Sequence, residues 1–201
     1  MEDVTDTTPP GPGGSPSPSP GDAPAPTPGE ERAVAALDGS GLRYRLVRHG
    51  PVRSLAEAAA ARRVTPDRVV KTMVVRRGEG DHLFVLVPGD RTISWPKLRE
   101  LLGVSRLSMP DARAAREVTG YERGTITPFG SLTALPVVAD ARVPGHPVSI
   151  GAGAHGVAAT VDGSRLVLAL GATVADVTDP EAPRDDDAAG GRSDGSAAPP
   201  G

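Results

Sequence analysis

Two apolar runs separated by a short glycine-bearing link limit what this chain can fold into. Val69-Val-Lys-Thr-Met-Val-Val-Arg76 and His82-Leu-Phe-Val-Leu-Val-Pro88 flank Arg77-Gly-Glu-Gly-Asp81. β-Branched side chains lose rotamer freedom in a helix but pack well on a pleated surface, and a link of about five residues containing glycine joins antiparallel strands. A hairpin is therefore predicted over 69–88. A hairpin alone is marginal in water, so further strands and covering helices must come from elsewhere in the chain.

The flanking patterns supply them. Leu42-Arg-Tyr-Arg-Leu-Val-Arg48 alternates apolar and basic residues, as a half-buried strand does. Ser54-Leu-Ala-Glu57 is a capping box opening an alanine-rich helix over 55–63, and Thr65-Pro66 starts a second helical turn. Residues 96–103 form an amphipathic helix ended by Gly103, and residues 111–119 another, closed by Gly120. Strands are expected at 136–141, 147–150, 157–161 and 165–169. The helices do not alternate with strands as βαβ units require. The pattern predicts one α/β domain of the mixed α+β kind, with a mainly antiparallel mixed sheet, barrel-like, and helices packed around it.

Composition sets the limits of that domain. Residues 1–30 hold nine prolines and no lysine or arginine, and residues 180–201 are similarly poor in periodic apolar positions. Neither stretch can bury enough apolar surface to offset the entropy of ordering, so both are expected to be disordered, leaving 31–179 to fold. The net charge of −3 over 201 residues conceals a division, because the tails take most of the acids and leave 20 bases against 15 acids in the domain. That excess suits an anionic partner such as RNA, and equally a solvated arginine-rich surface. With no cysteine in the chain, a thiol nucleophile, a disulfide framework and a Cys-ligated zinc are excluded. No apolar run reaches the ~18–20 residues of a membrane span, and the acidic, proline-rich start lacks the apolar core of a secretory signal. A cytoplasmic address without membrane contact is the expectation.

Three segments could carry chemistry. Lys71 would share a strand face with Val69, Met73 and Val75, so its ammonium either meets an anionic ligand or guards a sheet edge. Gly120-Tyr-Glu-Arg-Gly124-Thr-Ile-Thr-Pro128-Phe-Gly130 can turn backbone N–H groups toward a ligand, or can be ordinary turn punctuation. Ser149-Ile-Gly151-Ala-Gly153-Ala-His155-Gly156 permits close approach at a strand end, and no helix pattern follows it to make a dinucleotide fingerprint. There is no nucleophile elbow, His-Glu-x-x-His or P-loop, and His49, His82, His146 and His155 lack metal-ligand spacing.

Taken in order, the segments around Lys71-Thr72, Gly124 to Pro128, Leu135 to Asp140 and Gly151 to Gly156 resemble the YbaK and prolyl-tRNA synthetase-associated editing domains, over about residues 43–179. The resemblance implies an aminoacyl-tRNA deacylase, a hydrolase of translation fidelity that clears mischarged tRNA, tRNA(Pro) carrying cysteine, alanine or serine being the expected substrate. It implies Lys71 as the functional lysine. Thr72, the loop Gly124-Thr125-Ile126-Thr127-Pro128-Phe129-Gly130 and the segment Gly151-Ala152-Gly153 with His155 would border the substrate. No cofactor or metal is implied, and the partners would be mischarged tRNA and a prolyl-tRNA synthetase. An aminoacyl ester is already activated, so positioned N–H donors could suffice for its hydrolysis. The alternative is a non-catalytic regulatory protein of the same fold that binds RNA or an aminoacyl nucleotide.

Overall fold

A computed structural model describes residues 25–182. The tails expected to be disordered lie, at 1–24 and 183–201, outside the described residues. The ordered chain nevertheless begins ahead of residue 31. Helix α1 (Pro28–Gly39) starts where the Thr27 side chain accepts a hydrogen bond from the Glu30 N–H at 3.2 Å, with proline at the first helical position. Its buried Ala33 and Leu37 fasten it to the domain. At the other end, strand β9 (Thr178–Pro180) carries the fold past residue 179.

Between them come β1 (Tyr44–Arg48), α2 (Leu55–Arg62), a single 3-10 turn at Pro66–Arg68, β2 (Val69–Gly78), β3 (Asp81–Pro88) and β4 (Arg91–Ile93). Then follow α3 (Trp95–Leu102), α4 (Ala112–Thr119), β5 (Val137–Asp140), β6 (Pro147–Gly151), β7 (Val157–Asp162), α5 (Gly163–Ala169) and β8 (Thr173–Ala175). The hairpin forms as predicted, but both strands extend toward each other and the link shrinks to Glu79-Gly80, with a bulge between Arg76 and Gly78. Residues 165–169 are helical, where a strand was expected. Asp162 accepts from the Arg165 N–H at 2.9 Å and caps the helix, which buries Leu166 and Val167 while leaving Leu168 exposed. A short apolar run does not distinguish a buried helical turn from a strand, and the cap decides it.

Seven strands form one sheet in the order β1-β7-β6-β2-β3-β5-β8, and β4 pairs with β9 apart from it. The long ladders, β1 with β7, β7 with β6 and β2 with β3, are antiparallel, whereas β6–β2, β3–β5 and β5–β8 are short parallel pairings. The result is the mixed, mainly antiparallel sheet anticipated. Among the described residues no ladder joins β1 to β8, so the sheet remains open. One core, with Val70, Val74, Phe84, Leu86, Ile150 and Leu166, fills one face; the other, with Val75, Leu83, Val85, Val87 and Leu98, lies under α3 on the opposite face. Asp140, fully buried at the end of β5, is satisfied by the Val177 N–H, the Thr178 hydroxyl and Arg142, and so ties β9 to the sheet. No helix among the described residues is long and apolar enough to cross a membrane.

One helix ends unusually. The helices α3 and α4 terminate on Gly103 and Gly120 in the left-handed conformation, but α2 terminates on Arg63 at φ 57°, the one non-glycine residue with positive φ among those described. An L side chain there costs about 1–2 kcal/mol against glycine, partly offset by the entropy glycine adds to the unfolded chain. Arg63→Gly should therefore raise stability by about 1 kcal/mol, read as a higher urea midpoint at unchanged slope.

Candidate functional site

The loop between α4 and β5 is built around one tyrosine. The Thr119 hydroxyl donates to the Ala115 carbonyl at 2.8 Å and accepts from the Tyr121 N–H at 3.1 Å, which turns the chain out of the helix. Tyr121 is buried, and its hydroxyl donates to the Phe129 carbonyl at 2.6 Å, closing a loop of eight residues. Burial raises the phenol pKa, partly opposed by the nearby Arg32 charge, so the hydroxyl keeps the proton that this bond needs. Arg32 of α1 completes the clasp. It donates to the Gly120 carbonyl at 2.8 Å and the Gly130 carbonyl at 3.3 Å, and its guanidinium lies 4.9 Å from the Tyr121 ring centroid. Arg32 and Tyr121 were not anticipated from the sequence. The capping pattern Thr27-Pro28-Gly29-Glu30 could have revealed α1, the helix that carries Arg32.

Within this frame the amides of Gly124, Ile126, Thr127, Phe129 and Gly130 donate to no acceptor among the described residues. The hydroxyls of Thr72 and Thr127 are likewise buried without a hydrogen-bond partner. Buried or constrained polar groups left unpaired are uncommon in a folded protein.

The second glycine segment comes against this loop. A Cβ on Gly124 would stand 3.1 Å from His155 Cε1, and one on Gly151 would stand 3.5 Å from the Ile126 carbonyl oxygen. The start of α1 closes the other side, where a Cβ on Gly153 would lie 2.2 Å from the Gly29 carbonyl oxygen. The three elements surround a cleft of about 460 Å³ lined by Thr27, Arg32, Tyr121, Thr125, Gly153 and His155. Ala152 and Phe129 lie behind it, their side chains packed in the core. Ile126 also packs on that core, and Pro128 is half-buried.

Lys71 is held elsewhere. It shares a strand face with Met73 and Val75, as expected, but its ammonium already has partners. It donates to the Gly89 carbonyl at 2.9 Å, the Arg91 carbonyl at 2.5 Å and the Glu181 carboxylate at 2.9 Å. Thr72, next in the strand, points to the opposite face with Val70 and Val74. The structure thus joins the two glycine segments and adds α1 to them, while Lys71 is bound to the β3–β4 connection and the C-terminal residues. Among the described residues no three His, Asp or Glu side chains gather as a metal cluster would require.

The two glycines predict different tolerances. At Gly151 an added methyl makes an ordinary contact, whereas at Gly153 it meets backbone at φ 83°. Gly153→Ala should cost upward of ~2 kcal/mol in thermal or chemical unfolding, and Gly151→Ala should fold within ~1 kcal/mol of the parent protein.

With that geometry in place, the comparisons with known proteins can be set against it. Residues 49–167 match the family model for the aminoacyl-tRNA editing domain. A proline–tRNA ligase of Moorella thermoacetica is 35% identical over 92 residues, which is 46% of this chain and 16% of the ligase. The prolyl-tRNA editing protein ProX of Acetoanaerobium sticklandii is 26% identical over 104 residues, 51% of this chain and 63% of ProX. The matched stretch thus covers a small part of the ligase and under two thirds of ProX. A solved structure provisionally named as a trans-editing enzyme for prolyl tRNA synthetase superposes with a TM-score of 0.70 at 26% identity, covering 77% of this chain and 99% of the other.

Proposed function

We propose, given that this chain belongs to the aminoacyl-tRNA editing domain family, that it deacylates mischarged tRNA as a free-standing enzyme. The substrate is tRNA(Pro) esterified to a small wrong amino acid, namely cysteine, alanine or serine. The observation that carries this reading is the set of amides at Gly124, Ile126, Thr127, Phe129 and Gly130 without an acceptor among the described residues, in the loop that meets Gly151 and His155 beside a cleft whose lining has no serine or cysteine. An aminoacyl ester needs little more than a held water and a stabilised oxyanion. Water adds to the ester carbonyl carbon, the carbonyl oxygen takes the negative charge beside those N–H donors, and the bond to the ribose oxygen breaks. The ribose hydroxyl leaves with a proton and the amino acid leaves as its carboxylate. The neighbouring ribose hydroxyl is placed to relay that proton.

The relatives' names supply the tRNA, since a proline–tRNA ligase and a prolyl-tRNA editing protein both act on tRNA(Pro). The amino-acid class follows the family resemblance. One methylene in an apolar pocket is worth only about 1–3 kcal/mol, so selection against proline must come from shape more than from binding strength. A panel of cysteinyl-, alanyl-, seryl- and prolyl-tRNA(Pro), with release of free amino acid measured, tests the reading. The first three should be cleared and the prolyl ester spared. Tight tRNA binding with no release from any of them would leave a non-catalytic regulator.

In this reading Lys71, held at the β3–β4 connection and not lining the cleft, provides positive charge rather than a proton only where substrate replaces Glu181 as its partner. Two variants separate that role from an anchoring one. Lys71→Ala should lower kcat by about 100-fold or more, the size of losing one charged transition-state contact, while Glu181→Ala keeps or raises it. Equal losses in both would mean that Lys71 only fastens the C-terminal residues.

A further inference from the structure

Four arginines gather on one face with no carboxylate to balance them. Arg45 lies in the edge strand β1 on the side opposite Tyr44 and Leu46, which pack against the core, and Arg43 immediately precedes the strand. Arg45 Nη2 donates to the Arg62 carbonyl at 3.4 Å, which brings the strand to the C-terminal end of α2. Arg62 is half-buried, and its Nε donates to His49 Nε2 at 3.3 Å. Burial without a counter-charge pulls its pKa below the ordinary guanidinium value. Arg63 follows in the left-handed conformation, which glycine fills at the ends of α3 and α4. None of the four is in a salt bridge among the described residues.

Ordinary structural roles account for part of this. The C-terminus of a helix attracts cations, but its effective charge is only about half an elementary charge, too little to balance Arg45, Arg62 and Arg63 together. Arginines on an edge strand discourage sheet-to-sheet pairing, but that does not require burying Arg62 or straining Arg63. Desolvation and strain kept on the same patch point to a ligand outside the protein.

The patch is also joined to the cleft. The His49 N–H donates to the Gly156 carbonyl at 2.8 Å, and a Cβ on Gly156 would stand 2.2 Å from the His49 carbonyl oxygen. Gly156 follows His155, which borders the cleft. Contacts therefore link Arg45 to Arg62, Arg62 to His49, and His49 to Gly156, the residue after His155 at the rim of the site.

We infer that Arg43, Arg45, Arg62 and Arg63 form the surface on which the phosphodiester backbone of an RNA lies when its 3′ end enters the cleft. This rests on the deacylase reading for the occupant of the cleft, but the surface can be tested without turnover. Evenly spaced phosphates match guanidinia that have no acids among them, and each contact displaces a condensed counterion.

The test uses the full chain and an uncharged, fluorescently labelled RNA hairpin reproducing an acceptor stem with a single-stranded 3′ end. Affinity is read by anisotropy across a potassium chloride series. Arg63→Gly should weaken binding at least about 3-fold although the variant is the more stable protein, a result that loss of folding cannot produce. Adding Arg43→Gln and Arg45→Gln should weaken it by about 10-fold or more and flatten the salt slope by close to one per arginine removed. Hydrolysis of 2′(3′)-O-alanyl-adenosine, which has no phosphate, should change less than about 2-fold in the same variants. Unchanged RNA affinity and slope in the folded triple variant would overturn the inference and leave the face to an acidic protein or to no partner. So would parent protein that fails to bind the hairpin at low salt. If the variants lose RNA while no aminoacyl ester is cleaved by the parent protein, the surface stands and the deacylase reading falls.

Discussion

Strand β3 is buried from His82 to Pro88, and the rest of the architecture follows from covering both its faces. A strand with one wet face would need a single layer of helices; one with two dry faces needs two. The chain meets that demand with two separate clusters, one closed by α1, α4 and α5 and the other by α3 with the β4–β9 pair. Asp140 shows what the second layer costs. Its carboxylate is fully buried, and it is tolerable there because Val177, Thr178 and Arg142 saturate it and bring β9 into place.

The candidate site sits where that architecture stops being continuous. β2 and β6 pair in parallel over only Val69–Ser149 and Val70–Ile150, after which β2 stays with β3 and β6 stays with β7. Lys71, Thr72 and Gly151 lie just beyond the last shared pair. At such a parting the backbone loses its lateral partner, and the 121–130 loop comes in with the Ile126 carbonyl near Gly151. The approach is tight at Gly124, against His155, and at Gly153, against Gly29, while Gly151 has room for a methyl. Parallel seams that open in this way are natural places for ligands, because they offer polar backbone without an internal partner.

How much of this was legible in the sequence depended on the range of the interaction. The hairpin, the three glycine-ended or capped helices and strands β5 to β7 are local patterns, and they appear close to their predicted limits. α5 was misread because Leu166-Val-Leu168 alternates as well as it coils, and the deciding contact is the Asp162 cap rather than the apolar run. Only the first turn of α1 fell within the expected tail, because Thr27-Pro28-Gly29 continues a proline-rich composition, and no helix was expected over the rest; the buried Leu37 and the Glu30–Arg48 pair that hold it are tertiary. For the site, both glycine segments were visible and their juxtaposition was not. The partner of Lys71 is 110 residues away in sequence, at Glu181, and no strand pattern could indicate it.

Charge is the property that sequence most obscured and that folding arranged. A domain excess of five positive charges says nothing about where they go. Around β8 and β9 the cations are neutralised: Lys97 bridges Asp176 and Asp179, and Arg142 bridges Asp140 and Asp176. Arg142 and Lys97 hold the Asp176 carboxyl below the usual range, and Ser94 followed by Lys97 does the same for Asp179. At the opposite edge Arg48 of β1 pairs with Glu30, but Arg45 of β1 and Arg62 at the end of α2 form no salt bridge among the described residues. Because the sheet is open, these two edges cannot cancel each other across a closed barrel, and at physiological salt a separation beyond about 8–10 Å isolates them further. The protein therefore presents one neutral edge and one positive edge, with the cleft opening beside the positive one. A positive edge of this kind attracts a polyanion by charge alone, whatever its sequence.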